Sequence, residues 1–209
     1  VPSTRGRVPA CARALSACPT ASVSEWDPCL FIKVDTNGNF HYVGLYVDDL
    51  IHVYSDEEAY KAVIEEYRKD FRGYSELPLT EIFNAEVSVT DKFVTLTQTR
   101  YIETLQEKFL EGENVSATRT PAHTDLEDIV KKAAETGKAQ LSAEEHAKYR
   151  EIVGAILYIA TVSRPDVAVA VGLLSRVLEY PNAATLEAAY RVLRYLITTK
   201  VLGLRWTVG

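Results

Sequence analysis

Leu45-Tyr46-Val47-Asp48-Asp49-Leu50-Ile51-His52-Val53, LYVDDLIHV in one-letter code, sets two adjacent carboxylates between two apolar runs. The run before the pair, FHYVGLY, and the run after it, LIHVY, have the β-branched and aromatic content of strands. Asp48-Asp49 is therefore expected to be the tip of a two-residue hairpin. Such tips need positive φ and favour Asn-Gly or Asp-Gly, which this one lacks. The plainest reading is an exposed acidic turn. The other is a divalent cation: neighbouring carboxylates raise each other's pKa unless a positive ion compensates. Mg2+ suits them, because it takes one or two protein carboxylates and keeps positions for substrate phosphates.

Outward from this stretch the pattern stays legible. CLFIKVD, the turn Thr36-Asn37-Gly38-Asn39 and FHYVGLY predict a hairpin, so three antiparallel strands precede the first helix. Ser55 with Glu58 predicts a capping box, and Tyr60, Val63, Ile64, Tyr67 and Phe71 repeat at helical spacing behind it. EIFNAEVSV, the turn Thr90-Asp91 and KFVTLTQ predict a second hairpin, followed by a helix carrying Tyr101, Ile102, Leu105 and Phe109. Residues 124–141 are charged and weakly apolar, which predicts an exposed linker or mobile helix. Three helices are expected after it, started by Ser142 with Glu145, by Ser163 with Asp166 and Pro165 in the first turn, and by Asn182. The apolar stripe on the first is Tyr149, Ile152, Val153, Ile156, Leu157 and Ala160; helical spacing favours core packing over base stacking for Tyr101, Tyr149 and Tyr158. The C-terminal part is thus expected to be all-α.

Composition narrows the classes. The chain has 209 residues, 47% of them hydrophobic, enough to fill a core. Its longest apolar run, Ile152 to Val162, is too short for a bilayer, which needs roughly 20 residues. Residues 1–24 contain three arginines, no acids and no apolar periodicity, which predicts a poorly ordered leader and no secretory signal. An intracellular protein with no membrane partner is expected. Cys11, Cys18 and Cys29 form no CxxC pair, and His41, His52, His123 and His146 show no ligand spacing, so thiols and imidazoles are expected to be structural or superficial. The net charge of −6 argues against a generally basic nucleic-acid binder. Residues 146–209 nevertheless carry eight basic and four acidic groups, which places any phosphate contact in the C-terminal third.

Tyr46-Val47-Asp48-Asp49 resembles the catalytic signature of reverse transcriptases, and its surroundings resemble those of copia-type retrotransposons. Asp27-Pro28-Cys29-Leu30-Phe31 is similar to that family's DPCLF strand, Leu96-Thr97-Gln98-Thr99-Arg100-Tyr101-Ile102 to its LSQxxYI segment, and Thr120-Pro121 to its TP step. Tyr149-Arg150, Val153-Gly154, Leu157-Tyr158-Ile159-Ala160 and Ser163-Arg164-Pro165-Asp166 resemble the block YRxxVGxLLYLAxxTRPD, and Arg191 to Leu196 the block RVLRYLKGT. These similarities run in order from about residue 25 to 204.

The resemblance implies an α+β fold: a partial polymerase palm of antiparallel sheet and packed helices over 25–98, then a helical thumb and connection region over 99–209 that leads toward a ribonuclease H domain. It implies RNA-directed DNA synthesis, with Asp48 and Asp49 as catalytic carboxylates and metal ligands. Two Mg2+ ions would serve the complete enzyme, Mn2+ being an alternative. Tyr46 would lie near the template, and Phe83 and Asn84 would form the primer-binding hairpin. The implied partners are an RNA template, a DNA primer, deoxynucleotides, the upstream fingers and palm, and the downstream ribonuclease H segment. The sequence departs from the family where Phe83-Asn84 replaces Leu-Gly, Pro78 replaces a glycine and Ser163 replaces a threonine. The third catalytic aspartate and the ALYGLKQAPRAW segment are not found before Asp27, so this chain alone is expected not to polymerise DNA. The other readings are a degenerate, non-catalytic transposon remnant and a nucleic-acid-binding module.

Overall fold

Asp35 builds the first hairpin. Its carboxylate accepts from the Asn37 N–H at 2.8 Å, the Asn39 N–H at 2.9 Å and the Asn39 side-chain amide at 2.8 Å. Gly38 takes a φ of 86°, which a side chain would strain. The Asn39 amide, more than any other group, holds the Asp35 carboxyl below its usual range. The computed structural model describes residues 22–46, 49–70, 77–112, 115 and 118–208. Two compact units divide the chain, Val1–Pro78 and Leu79–Gly209.

In the first unit the hairpin joins β2 (Leu30–Val34) to β3 (Phe40–Tyr46), with β1 (Ser22–Val23) outside β2 and β4 (Asp49–Tyr54) outside β3. All four strands are antiparallel in the order β1-β2-β3-β4. Ser22 and Val23 thus belong to the sheet, which corrects their placement in the leader. The expected leader otherwise, residues 1–21, lies outside the described residues. Helix α1 (Glu57–Asp70) follows. Its first turn is capped by Asp56, whose Oδ1 accepts from the Glu58 and Ala59 N–H groups at 2.9 and 3.2 Å. Ser55 instead accepts from the Phe40 N–H across the hairpin, so the expected Ser55–Glu58 box does not form. A carboxylate one residue nearer the helix is the stronger partner for its positive end.

Strand alternation places Phe31, Val43 and His52 on one face, together with His41 and Tyr54. Phe31 and Val43 are buried, with Leu45 and Leu50 packed against them. Tyr60 of α1 stacks on Tyr54 with ring centroids 4.3 Å apart and meets both histidines edge-on. Val63 and Ile64, one turn further on, are buried; the Tyr67 and Phe71 side chains expected on that stripe lie outside the described ones. His41 Nε2 and His52 Nδ1 are 3.1 Å apart, so one proton is shared between two enclosed rings. Burial, and then the charge of His41, push His52 down to about 4. Burial, with Lys33 nearby, lowers His41 as well.

The second unit combines a sheet with a helical core. β5 (Glu81–Ile82), β6 (Ala85–Val89), β7 (Phe93–Thr97) and β8 (Leu204–Thr207) are antiparallel in that order. The helices are α2 (Thr99–Phe109), α3 (Leu126–Thr136), α4 (Ala143–Val162), α5 (Ala168–Ser175) and α6 (Ala183–Thr198), with a 3-10 turn at Pro165–Val167. Ser142 with Glu145, and Asn182 with Thr185, form complete capping boxes at α4 and α6. The expected stripe on α4 is buried at Tyr149, Ile152, Val153, Ile156 and Ala160, but Ile159 replaces Leu157, which is 44% exposed. Tyr149 is fully enclosed and donates to the Leu174 carbonyl at 2.7 Å.

Three expectations are corrected here. Residues 126–136 are a packed helix, with Leu126, Val130 and Ala133 buried and Gly137 closing it at a φ of 60°. Ser163 ends α4 and does not start the next helical turn: its hydroxyl donates to Gln98 Oε1 at 2.8 Å, and Arg164 occupies the N-cap position. The C-terminal part is not all-α, because β8 completes the sheet. Gly203 admits that strand: a Cβ there would lie 2.1 Å from the Leu96 carbonyl oxygen. The described residues thus make a mixed α/β fold of two antiparallel sheets and six α-helices. None of those helices is long and apolar enough to cross a membrane.

Gly203→Ala is expected to destabilise the second unit by about 1–3 kcal/mol through this overlap, read as a lowered denaturant midpoint. The first unit should be acid-sensitive. The unfolded imidazole binds a proton near pH 6.5, whereas folded His52 resists it until about 4. Stability is therefore complete above 6.5 and falls as the pH drops toward 4. Thermal melts followed by tyrosine fluorescence at pH 7.5 and 4.5 should show this loss, and His52→Phe should shrink it.

Candidate functional site

The register of β3 and β4 corrects the position of the acidic tip. Tyr46 pairs with Asp49, Leu45 with Leu50 and Gly44 with Ile51. The connection therefore consists of residues 47 and 48, and Asp49 is the first residue of β4. Asp48 and Val47 lie outside the described residues. Asp49 is exposed, and its partner across the ladder, Tyr46, is 49% exposed.

The same end of the sheet holds the Asp27-Pro28-Cys29 turn. Asp27 Oδ1 accepts from the Cys29 N–H at 2.8 Å, and the Leu45 N–H donates to the Cys29 carbonyl at 2.8 Å. That places the DPC segment beside the strand leading into the acidic connection. Cys29 is an exposed free thiol. Among the described residues no three histidine, cysteine or acidic side chains are grouped to hold a metal ion. The donors that sequence offers here are carboxylate oxygens, which fit a hard ion such as Mg2+, because that ion needs few protein ligands and takes the rest from water or phosphate.

Phe83 and Asn84, in the second unit, form the two-residue connection between β5 and β6, with Ile82 paired to Ala85. Both have positive φ, 52° and 53°, the signature of a type I′ turn. Among the described residues they are the two non-glycine positions of this kind. Asn tolerates the left-handed region; Phe does so at a cost of about 1–2 kcal/mol. Phe83 is nonetheless 43% exposed, so core burial does not account for the strain. The Tyr158 hydroxyl donates to the Phe83 carbonyl.

Behind the turn, Glu86 anchors the hairpin to α2. Its two carboxylate oxygens accept from the Thr99 and Arg100 N–H groups, each at 2.9 Å, and from the Thr97 hydroxyl at 3.2 Å. These are the first amides of the helix, where a negative charge is favoured. The preceding residue, Gln98, contributes no side-chain cap. The sequence places Glu86 in a strand and gives no local sign of this role, because its partners lie 13 and 14 residues away.

The Arg-Pro-Asp segment encloses a guanidinium. Arg164 is 1% exposed. Its Nε and Nη2 donate to the two Asp166 oxygens at 2.9 and 2.8 Å, its Nη1 to the Thr199 carbonyl at 3.0 Å and its Nη2 to the Thr199 hydroxyl at 2.8 Å. Tyr195 donates to Asp166 at 2.8 Å. Burial pulls the Asp166 carboxyl upward, but Arg164 and Tyr195 outweigh it and leave the group below its usual range. This cluster is structural. Arg191 and Arg194 remain on α6, where they bond to Thr120 at 3.1 Å and Glu187 at 2.7 Å.

No protein-family model matches the chain, and no solved structure matches it significantly. The Retrovirus-related Pol polyprotein from transposon TNT 1-94 of Nicotiana tabacum is 31% identical over 172 residues, 81% of this chain and 13% of that protein. A transposon Ty5-1 protein of Saccharomyces cerevisiae is 31% identical over 198 residues, 88% of this chain and 58% of the relative. The Retrovirus-related Pol polyprotein from transposon RE1 of Arabidopsis thaliana is 28% identical over 178 residues, 85% of this chain and 12% of that protein. The chain thus spans less than two thirds of each of these relatives.

Relief of the turn strain is measurable. Phe83→Asn should raise the unfolding free energy by about 1 kcal/mol, since Asn enters the left-handed region more readily; a denaturant midpoint that falls would show that the Phe83 ring contributes more than its backbone costs. Two retrotransposon Pol polyproteins and a transposon Ty5-1 protein are thus similar to most of this chain, which supports its reading as a segment of a transposon-derived polyprotein.

Proposed function

We propose that this chain is the later palm and the thumb and connection part of a reverse transcriptase, acting within a copia-type Pol polyprotein in RNA-directed DNA synthesis. The observation that carries the reading is the β3–β4 hairpin, which brings Tyr46 and Asp49 together at the two ends of a two-residue connection containing Asp48. Its sequence similarity to Pol polyproteins supports it. On this reading residues 25–98 serve as palm and 99–209 as thumb and connection.

Asp48 and Asp49 would hold Mg2+. When bound, the metal would stabilise charge on the attacking and leaving oxygens of phosphoryl transfer. The chain's own contribution is placement. Tyr46, fixed in the ladder opposite Asp49, would border the template. Phe83 and Asn84, presented on a tight turn, would contact the primer strand and aim its 3′ end. The segment bearing the third carboxylate and the fingers would complete the site, so the chain by itself would bind metal weakly and not extend a primer.

Primer extension on an RNA template with Mg2+ or Mn2+ tests this. The chain alone should give no product. A chimera placing it behind the corresponding upstream region of the tobacco Pol polyprotein should extend the primer, and Asp48→Ala should reduce the rate by at least about 100-fold, since loss of a metal-held charge removes several kcal/mol of transition-state stabilisation. Extension by the chain alone, or a folded chimera whose extension survives Asp48→Ala, would contradict the assignment.

A further inference from the structure

The strained turn asks what keeps it. A two-residue type I′ connection with phenylalanine at its first position has ready alternatives, because neither β5, only two residues long, nor the side chain favours the left-handed state. The Phe83 carbonyl is held from outside its own hairpin. Tyr158, on α4 and half-buried, donates its hydroxyl to that oxygen. Tyr101 of α2 meets the Tyr158 ring edge-on, with centroids 5.4 Å apart and planes at 89°. Burial raises the Tyr101 phenol above its usual pKa, and proximity to Tyr158 adds to the effect, so this neighbour stays neutral.

We infer that Tyr158 is a positioning residue: its hydroxyl locks the Phe83–Asn84 turn in the left-handed form that presents Phe83 to the primer strand, and Tyr101 sets the orientation of its ring. The inference rests on the primer-strand reading above and extends it. The other end of the hairpin is already fixed, because Glu86 binds the first amides of α2. Tyr101 lies two residues beyond Thr99 on that same helix, and Tyr158 lies on α4. The turn is therefore held from α2 at its base and from α4 at its tip. A hydrogen bond to the Phe83 carbonyl restrains the peptide plane between Phe83 and Asn84, and so restricts ψ of Phe83 and the unusual φ of Asn84.

The test uses the whole chain and two readouts. Amide exchange over residues 81–86 reports the turn, and fluorescence anisotropy with a short RNA–DNA hybrid reports presentation. Tyr158→Phe removes the hydroxyl and keeps the ring. It should accelerate exchange in the turn and weaken hybrid binding by about tenfold, the size of a lost hydrogen bond, while exchange along α4 is unchanged. Tyr101→Leu should act in the same direction and more weakly. In a Phe83→Gly background, where the left-handed turn is unstrained, Tyr158→Phe should add less than about twofold to the exchange rate.

Unchanged turn exchange in Tyr158→Phe would overturn the lock. Faster exchange with unaltered hybrid affinity would make the hydroxyl purely structural and overturn the positioning role. A wild-type chain that binds no hybrid would overturn the primer-strand reading itself, and with it the role assigned to Tyr158. That outcome is visible before any variant is measured.

Discussion

A buried guanidinium must be neutralised where it lies, and in the second unit that requirement organises the rest. Arg164 stands just beyond α4, and its donors are taken up by Asp166 on one side and Thr199, just beyond α6, on the other. Removing Asp166 would leave the buried guanidinium without its counter-charge, at a cost below the roughly 3–5 kcal/mol of a fully buried pair because the Asp166 side chain is 38% exposed. The ends of two helices are thereby tied at one point. Hydrophobic packing of α4 and α6 supplies most of the stabilisation but is non-directional; the guanidinium, with its fixed fork of donors, sets the register.

From that point polar bonds run outward to the hairpin. Ser163, beside Arg164, donates to Gln98, the residue before α2. The Thr99 hydroxyl donates at 3.1 Å to the carbonyl of Lys200, next to Thr199. Glu86 then takes the amides of Thr99 and Arg100. The Phe83–Asn84 turn is therefore joined to the helical core through side chains, and its strain is balanced against that network. A turn held in this way is suited to presenting one exposed aromatic ring in one orientation.

Sequence made the local devices visible and left the distant ones hidden. The Ser142 and Asn182 caps were legible because a cap and its partner lie within one helical turn. The hairpin at Asp35 was legible for the same reason. The Ser55 and Ser163 caps failed because each hydroxyl found a partner from another element, Phe40 in one case and Gln98 in the other. β8 was missed because Leu204-Arg205-Trp206-Thr207 becomes a strand only by pairing with Phe93 to Leu96 across more than a hundred residues. Leu126, Val130 and Ala133 bury a narrow stripe on an otherwise charged helix, too thin to distinguish from a linker. The candidate site shows the same division. The acidic pair was legible as a motif, whereas the turn at Phe83–Asn84, inside a run expected to be one strand, and the place of Asp49 in β4 required the observed ladders.

What joins the fold to the proposed chemistry is the position of the primer strand against the Phe83–Asn84 turn. The direct measurement is photocrosslinking: an RNA–DNA hybrid with a photoreactive nucleotide at the primer 3′ end, bound to the whole chain and mapped by peptide mass spectrometry. The account predicts crosslinks within residues 81–86, reduced when excess unlabelled hybrid competes. Crosslinks confined to the basic residues of α6, with none in the hairpin, would contradict it.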